Sequence, residues 1–214
     1  MIKIENVEVL GLDHAIRGMR NPMNSWEKSD SAWGYDYYYE PQSKLVFCVG
    51  PNDLALMQKL ADAGPVHGKF MRMITVYMDI TAPRYWWTEF DTYKVGTVAN
   101  SCSTMHKIHA KKFTLDDFSH EHLSPDGLST LGIVADELNF ARIAYIETKD
   151  KCYFDEMIQL LPQSYNQKRT VMLNYEVLRN MYNSRKNHKL DEWRTFCQKI
   201  EELPFATLII GKED

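Results

Sequence analysis

Apolar and polar positions alternate along residues 2–10, a period of two that predicts a strand. The following stretch, residues 14–31, is polar and holds a Met/Arg/Asn cluster in AIRGMRNPMNSWEKSD. Residues 35–50 carry Tyr37, Tyr38 and Tyr39 and then Lys44–Val49, which reads as strand or hairpin. Pro51 opens a helix that runs to Ala63: proline suits the first turn, Leu54, Met57 and Leu60 give the apolar stripe, and Gly64 can end it. β-branched alternation returns in RMITVYMDI and predicts a strand over 72–80. Thr114 with Asp117 is a capping-type start for a short helix. From about Leu128 the period lengthens, predicting helices over 129–148, 151–161, 172–186 and 189–203, with Phe205–Ile210 as a closing strand. Strands gathered in the first half and helices in the second predict one α+β domain over 1–214.

Composition narrows the partners. At 214 residues and 25.0 kDa the chain can bury a sizeable core. Lys plus Arg number 25 against 29 for Asp plus Glu. That balance argues against polymeric nucleic acid as the main partner, although a local basic pocket for one nucleotide remains compatible with it. Cys48, Cys102, Cys152 and Cys197 are dispersed, as expected of free thiols in a reducing compartment. The opening MIKIENVEVLG has acids and no long apolar run, so no signal peptide is expected there. No segment has the length of a membrane span, and a cytoplasmic protein is expected.

Candidate chemistry concentrates between Ala82 and His109, APRYWWTEFDTYKVGTVANSCSTMHKIH. Trp86, Trp87, Phe90 and Tyr93 offer stacking faces, and Arg84, Lys94, His106, Lys107 and His109 offer anion donors. Gly96, Thr97, Asn100, Ser101, Ser103 and Thr104, bracketed by Lys94 and Lys107, form a run that can cradle an anion through N–H groups and hydroxyls; the alternative is a polar loop capping a helix. The whole reads as a site for a flat, phosphorylated ligand. His106-x-x-His109 and His120-Glu121-His122 lack the spacing of a structural zinc site, and no metal is expected. Cys102 beside His106 or His109 is a conceivable Cys–His pair, outweighed by an ordinary thiol in a polar turn. No glycine-rich dinucleotide or P-loop motif occurs, and no catalytic nucleophile is expected. Farther on, NYEVLRNMYNSR places Asn174, Leu178, Met181 and Arg185 on one helix face, with Asn174 and Arg185 about 16 Å apart along the axis. The alternative is that Leu178 and Met181 are core and the polar ends reach solvent.

Together these pieces resemble the flavin-dependent thymidylate synthases. His67-Gly68-Lys69-Phe70-Met71-Arg72 stands where that family has a His and an F-E-H pattern before a strand, and Pro83-Arg84 opens the next helix. The family's R-H-R, followed by S-x-N-E-x-S-x-R, corresponds to Thr92-Tyr93-Lys94, then Thr97 and Ala99-Asn100-Ser101-Cys102-Ser103. Leu161-Pro162, Asn174, Asn180 and Arg185 match its late L-P…N…N…L-R spacing. Departures are plain: only Lys94 keeps a charge in the arginine motif, and the family's arginine before L-P falls on Ile158. Arg17, Arg20 and Asn21 are candidates to replace the lost phosphate contacts.

The resemblance implies a mainly antiparallel sheet flanked by helices, in a homotetramer. It implies reductive methylation of dUMP to dTMP, with FAD as cofactor and methylenetetrahydrofolate and NADPH as co-substrates. Arg84, Glu89, Lys94, Ser103, Lys107 and Arg185 would bind the nucleotide; His67, Arg72, Asn174 and Asn180 would contact flavin. A non-catalytic nucleotide-binding relative, or a flavoenzyme acting on another pyrimidine nucleotide, are the alternatives.

Overall fold

The structure, a computed structural model, describes residues 2–36 and 44–211. Tyr37, Tyr38 and Tyr39 lie outside the described residues. Mixed helix and antiparallel sheet make up the fold, the α+β class expected. Strands β1 (Lys3–Leu10), β4 (Thr75–Pro83), β6 (Asn166–Asn174) and β5 (Val98–Ser101) form one sheet in that order. A hairpin of β2 (Ala32–Asp36) and β3 (Lys44–Cys48) forms a second sheet, antiparallel, with Ala32 opposite Cys48 and Gly34 opposite Val46. Strand β4 shows why the sequence is legible there: Val76, Met78, Ile80 and Ala82 are all buried, every second residue, as a pleated strand requires.

The chain divides into two compact units. The first comprises residues 1–5, 79–92 and 99–171. Its helices are α3 (Arg84–Phe90), α4 (Thr104–Lys107), α5 (Pro125–Thr148) and α6 (Lys151–Leu160). Ser124 caps α5 through a bond from the Gly127 N–H, with Pro125 at the first position. Helices α5 and α6 pack Leu131, Ala135, Leu138, Ala141 and Met157 against Ile108, Phe113, Phe118 and Leu161. The other unit comprises residues 6–78, 93–98 and 172–214. It holds α1 (Leu12–Arg20), α2 (Pro51–Asp62), α7 (Tyr175–Arg185), α8 (Asp191–Glu201) and α9 (Thr207–Ile210). Tyr175 is fully buried in it, its hydroxyl donating to the Pro204 carbonyl, and the Arg179 guanidinium reaches the Ala61 carbonyl at 2.7 Å.

Several expectations are corrected. The strand expected over 72–80 starts only at Thr75, because Gly68–Met73 is a 3-10 turn. The helix expected over 172–186 starts at Tyr175: Met172–Asn174 end strand β6, where Val171 and Leu173 are buried in alternation. Phe205–Ile210 is not a strand; Phe205 has φ 54 and Thr207–Ile210 is the short helix α9. The polar stretch 14–31 contains most of α1, whose buried face is only Ala15, Ile16, Met19 and Arg20.

Candidate functional site

Trp86, Trp87 and Phe90 do not offer stacking faces. They are 0, 1 and 2% exposed, and their rings pack on one another at centroid distances of 4.8–5.2 Å. Trp87 is fixed further by its indole N–H, 2.9 Å from the Gln167 carbonyl, and by the Arg169 guanidinium 4.2 Å over its ring. The aromatic run is therefore core, and the polar side chains around it carry the site.

In the first unit those polar side chains surround a cleft of about 570 Å³. Ser103 and Lys107 come to it from the two ends of α4, Thr81 from β4, and Tyr165, Asn166 and Lys168 from the start of β6. The backbone aligns the pieces: the Cys102 N–H donates to the Lys168 carbonyl at 2.9 Å, and the Gln167 amide donates to the Cys102 carbonyl at 2.8 Å. Ser103 caps α4, accepting from the His106 N–H at 3.2 Å while its hydroxyl meets His106 Nδ1 at 2.7 Å. So the run read as an anion cradle does cap a helix, and two of its residues still line the cleft.

Charge in the cleft is partly neutralised. Lys168 lies 3.1 Å from Asp79, a hydrogen bond that raises its pKa, and Lys111 pairs with Asp117, which does the same. The Lys107 ammonium has no partner among the described residues. Burial, reinforced by the Asp117 charge, pushes the Tyr165 phenol up, so it is a protonated donor at neutral pH. Asn166 accepts from Ser119 at 2.9 Å through Oδ1, which leaves its Nδ2 to donate elsewhere. One free ammonium with hydroxyl, phenol and amide donors suits a phosphorylated or oxygen-rich ligand. Tyr165, Asn166 and Lys168 escaped the sequence reading because strand pairing, not sequence proximity, brings them here. No period of two marks SYNQKRT, whose residues after Tyr165 are all polar, so the sequence carries no signal for this wall.

The other expected residues are distributed as follows. Arg84 starts α3, half-buried, its N–H on the Tyr165 carbonyl at 3.0 Å. Glu89 is half-buried in α3, and Lys94 is exposed. In the second unit Arg185 ends α7 in a built cradle: Nε donates to the Tyr93 hydroxyl at 2.9 Å, Nη1 lies 3.0 Å from His188 Nε2, and Cζ is 4.8 Å over the Trp193 ring. Tyr93, half-buried, is thus the one aromatic of the four that handles a cation at the surface. Asn174 is the N-cap of α7, its Oδ1 accepting from Val177 N at 3.0 Å. Asn180 is exposed on α7. Arg72 is committed to Glu176 through a two-point ion pair, and His67 is exposed. Arg20 is not a phosphate ligand: it is buried against Asp53, while Asn21 accepts from the Trp26 indole at 2.8 Å.

No protein-family model matches the sequence, and no curated protein matches it. Solved structures do. A flavin-dependent thymidylate synthase ThyX from Helicobacter pylori, complexed with FAD and dUMP, is similar at TM-score 0.67 and 18% identity, covering 96% of this chain and 98% of that one. A second structure of the H. pylori protein with FAD and dUMP is similar at TM-score 0.69 and 17% identity, covering 98% of each chain. The chain has the fold of the flavin-dependent thymidylate synthases.

Proposed function

We infer that the chain is a flavin-dependent enzyme acting on a pyrimidine nucleotide, with reductive methylation of dUMP to dTMP as the reaction, methylenetetrahydrofolate as carbon donor and NADPH as reductant. The observation that carries this reading is the cleft that gathers Ser103 and the unpaired Lys107 with Tyr165 and Asn166. In the first unit Lys107 and Ser103 would take the phosphate, Arg84 would meet phosphate or base oxygens, and Glu89 would accept from a base N–H; in the second unit Lys94 and the cradled Arg185 would bind nucleotide oxygens. A homotetramer in the cytoplasm is part of the same proposal. Among the described residues no helix is long and apolar enough to cross a membrane.

The residues assigned to flavin fit by donor chemistry. Asn180 and His67 are exposed donors; Asn174 has spent Oδ1 on the helix cap and keeps its Nδ2; Arg72 would act while paired to Glu176. Bound flavin supplies hydride chemistry, so the chain itself needs only to bind, orient and exclude water. The test is direct. Protein purified with added FAD should hold a flavin absorbing near about 450 nm, perturbed by dUMP, and should convert dUMP when supplied with the folate and NADPH. Retained flavin without any response to dUMP would overturn the substrate.

A specific observation favours a second reading, a nucleotide-binding relative without synthase activity. In Thr92-Tyr93-Lys94, the Thr92 hydroxyl is spent on the Glu89 carbonyl at 2.7 Å and the Tyr93 hydroxyl on Arg185, leaving Lys94 as the one cation of that motif. A colourless protein that refuses FAD but binds dUMP would select it.

A further inference from the structure

The second unit carries a groove of about 760 Å³ lined by none of the residues given to flavin or nucleotide. Val7, Glu8, Val9 and Leu10 of β1 form one wall, and Leu45, Val46 and Phe47 of β3 form another, with Trp33 of β2 beside them. Successive side chains of a strand point to opposite faces. A concavity that meets four consecutive residues of β1 and three of β3 therefore runs along the edges of both strands, not over a face of either. Sheet topology agrees: β1 is the terminal strand of the four-stranded sheet, and β3 pairs only with β2 among the described residues. The groove thus lies between two strand edges that belong to separate sheets. An edge strand presents a row of backbone donors and acceptors that templates a further strand. The walls add apolar side chains held in water: Trp33, Leu45 and Leu10 stand 57, 50 and 45% exposed, and Trp33 meets Phe47, its direct partner in the hairpin, edge to face at 5.4 Å. Four residues of β1 span about 13 Å at the rise of a strand, so a segment of about four to six residues covers the groove.

Charge fixes the class of occupant. Glu8, Asp13 and Glu202 line the groove against one cation, Lys199, which is itself bound to Glu202. Asp13 lies 3.6 Å from His14, whereas the Glu8 carboxylate has no partner among the described residues. An isologous contact between two copies would set this acidic patch against itself, while a basic segment complements it. We propose that the groove receives an extended peptide segment of a partner protein, apolar residues alternating with Lys or Arg, which pairs its main chain with β1 and β3 and sets a cation at Glu8. The flavin and nucleotide reading neither requires this partner nor supplies it.

The probe is a fluorophore-labelled peptide, Lys-Val-Lys-Val-Lys-Val, titrated by fluorescence anisotropy into the full chain, with Glu-Val-Glu-Val-Glu-Val as control. Saturable one-to-one binding of the lysine peptide is expected, with the glutamate peptide about tenfold weaker or more. Glu8→Lys, at an exposed side chain, should weaken the lysine peptide about tenfold, as loss of one charge-assisted contact does. Two further peptides need no change to the protein. Methylating the backbone nitrogens of alternate residues removes the donors from one side of the peptide strand, and the other register removes them from the other side. A strand seated between two edges uses both sides, so each methylated peptide should lose binding. Full binding of either methylated peptide overturns pairing with both edges. Equal binding of the lysine and glutamate peptides, or no response to Glu8→Lys, overturns the basic class. A change in the mass of the protein in solution when the lysine peptide binds, beyond the peptide itself, would give the groove to a second copy and overturn the external partner. Flavin retention and dUMP conversion should stand unaltered in Glu8→Lys, which keeps this test separate from that of the synthase reading.

Discussion

Two arginines show how one residue type acquires opposite roles. Arg20 is 5% exposed and reaches Asp53 through Nε and Nη2, each at 2.6 Å. Asp53, fully buried, also accepts from the hydroxyls of Ser29 and Ser31 at 2.7 and 2.6 Å, so the pair ties the 20–31 segment to the start of α2. Nothing in AIRGMRNP distinguishes this arginine from a ligand-binding one, since its partner is far along the chain and burial is a tertiary property. Burial alone would push the Asp53 carboxyl up; the bonds from Ser29, Ser31 and Arg20, with the Arg20 charge, outweigh it and hold the pKa below the ordinary value. A carboxylate depressed in the fold adds stability that is complete above its unfolded pKa of about 3.9 and is lost as pH falls through the folded value. Asp53→Asn should therefore cost about 3–5 kcal/mol near neutral pH, because it leaves a buried guanidinium unpaired. Urea unfolding read at several pH values should show wild type losing stability below about pH 4 more steeply than the variant. Arg185, by contrast, is stacked and hydrogen-bonded yet half-buried, which keeps a planar donor in place for a ligand. Arg185→Ala should cost on the order of 1.5–3 kcal/mol in dUMP affinity, measured by calorimetry. Unaltered affinity would remove Arg185 from the site.

At the scale of elements, periodicity was legible wherever one face is buried and the other wet. Helix α2 runs Pro51–Asp62 against an expectation of 51–63, and α6 runs Lys151–Leu160 against 151–161. The failures have local causes. Met172 and Leu173 are adjacent apolar residues that fit either period, and the ladder rather than propensity assigns them to β6. The tryptophan pair misled because large aromatics next to cations look the same in a core as in a cleft; only burial separates them. The join at α7 is where an element and the candidate site meet. Gly96 sits at φ +78, and a Cβ there would lie 2.8 Å from Asn174 Nδ2 and 3.1 Å from Val177 Cγ2. Gly96→Ala should cost about 1–3 kcal/mol through the strained backbone and should displace the α7 cap as well. Asn174→Ala removes only the cap bond and should cost about 0.5–2 kcal/mol. Thermal unfolding of the two variants, with FAD binding measured in parallel, separates the effects. If Asn174 holds flavin, both lose FAD affinity, whereas a purely structural cap would lower stability alone.

For the whole molecule, the sequence carried the α+β class and the polar character of one site, but not its walls. Ser103 and Lys107 were visible as a hydroxyl and an ammonium on one short segment. Tyr165 and Asn166 were not, because a cleft wall built by β6 exists only once strands pair. The same reasoning gives a test that needs no catalysis. A ligand that binds only the folded chain stabilises it by mass action, about 2.7 kcal/mol at a hundredfold excess over its dissociation constant. For a chain of 214 residues each kcal/mol moves the unfolding midpoint by about 2–4 °C, so saturating FAD or dUMP should each raise it by roughly 5–10 °C. Lys107→Ala removes the one unpaired ammonium of the cleft without disturbing a native ion pair. Its own midpoint should therefore stay within about 2 °C of wild type, as for a surface substitution. Its response to dUMP should shrink while its response to FAD persists. A variant that keeps the full dUMP shift would place the phosphate elsewhere, and one that loses the FAD shift as well would show the cleft serving the cofactor rather than the nucleotide.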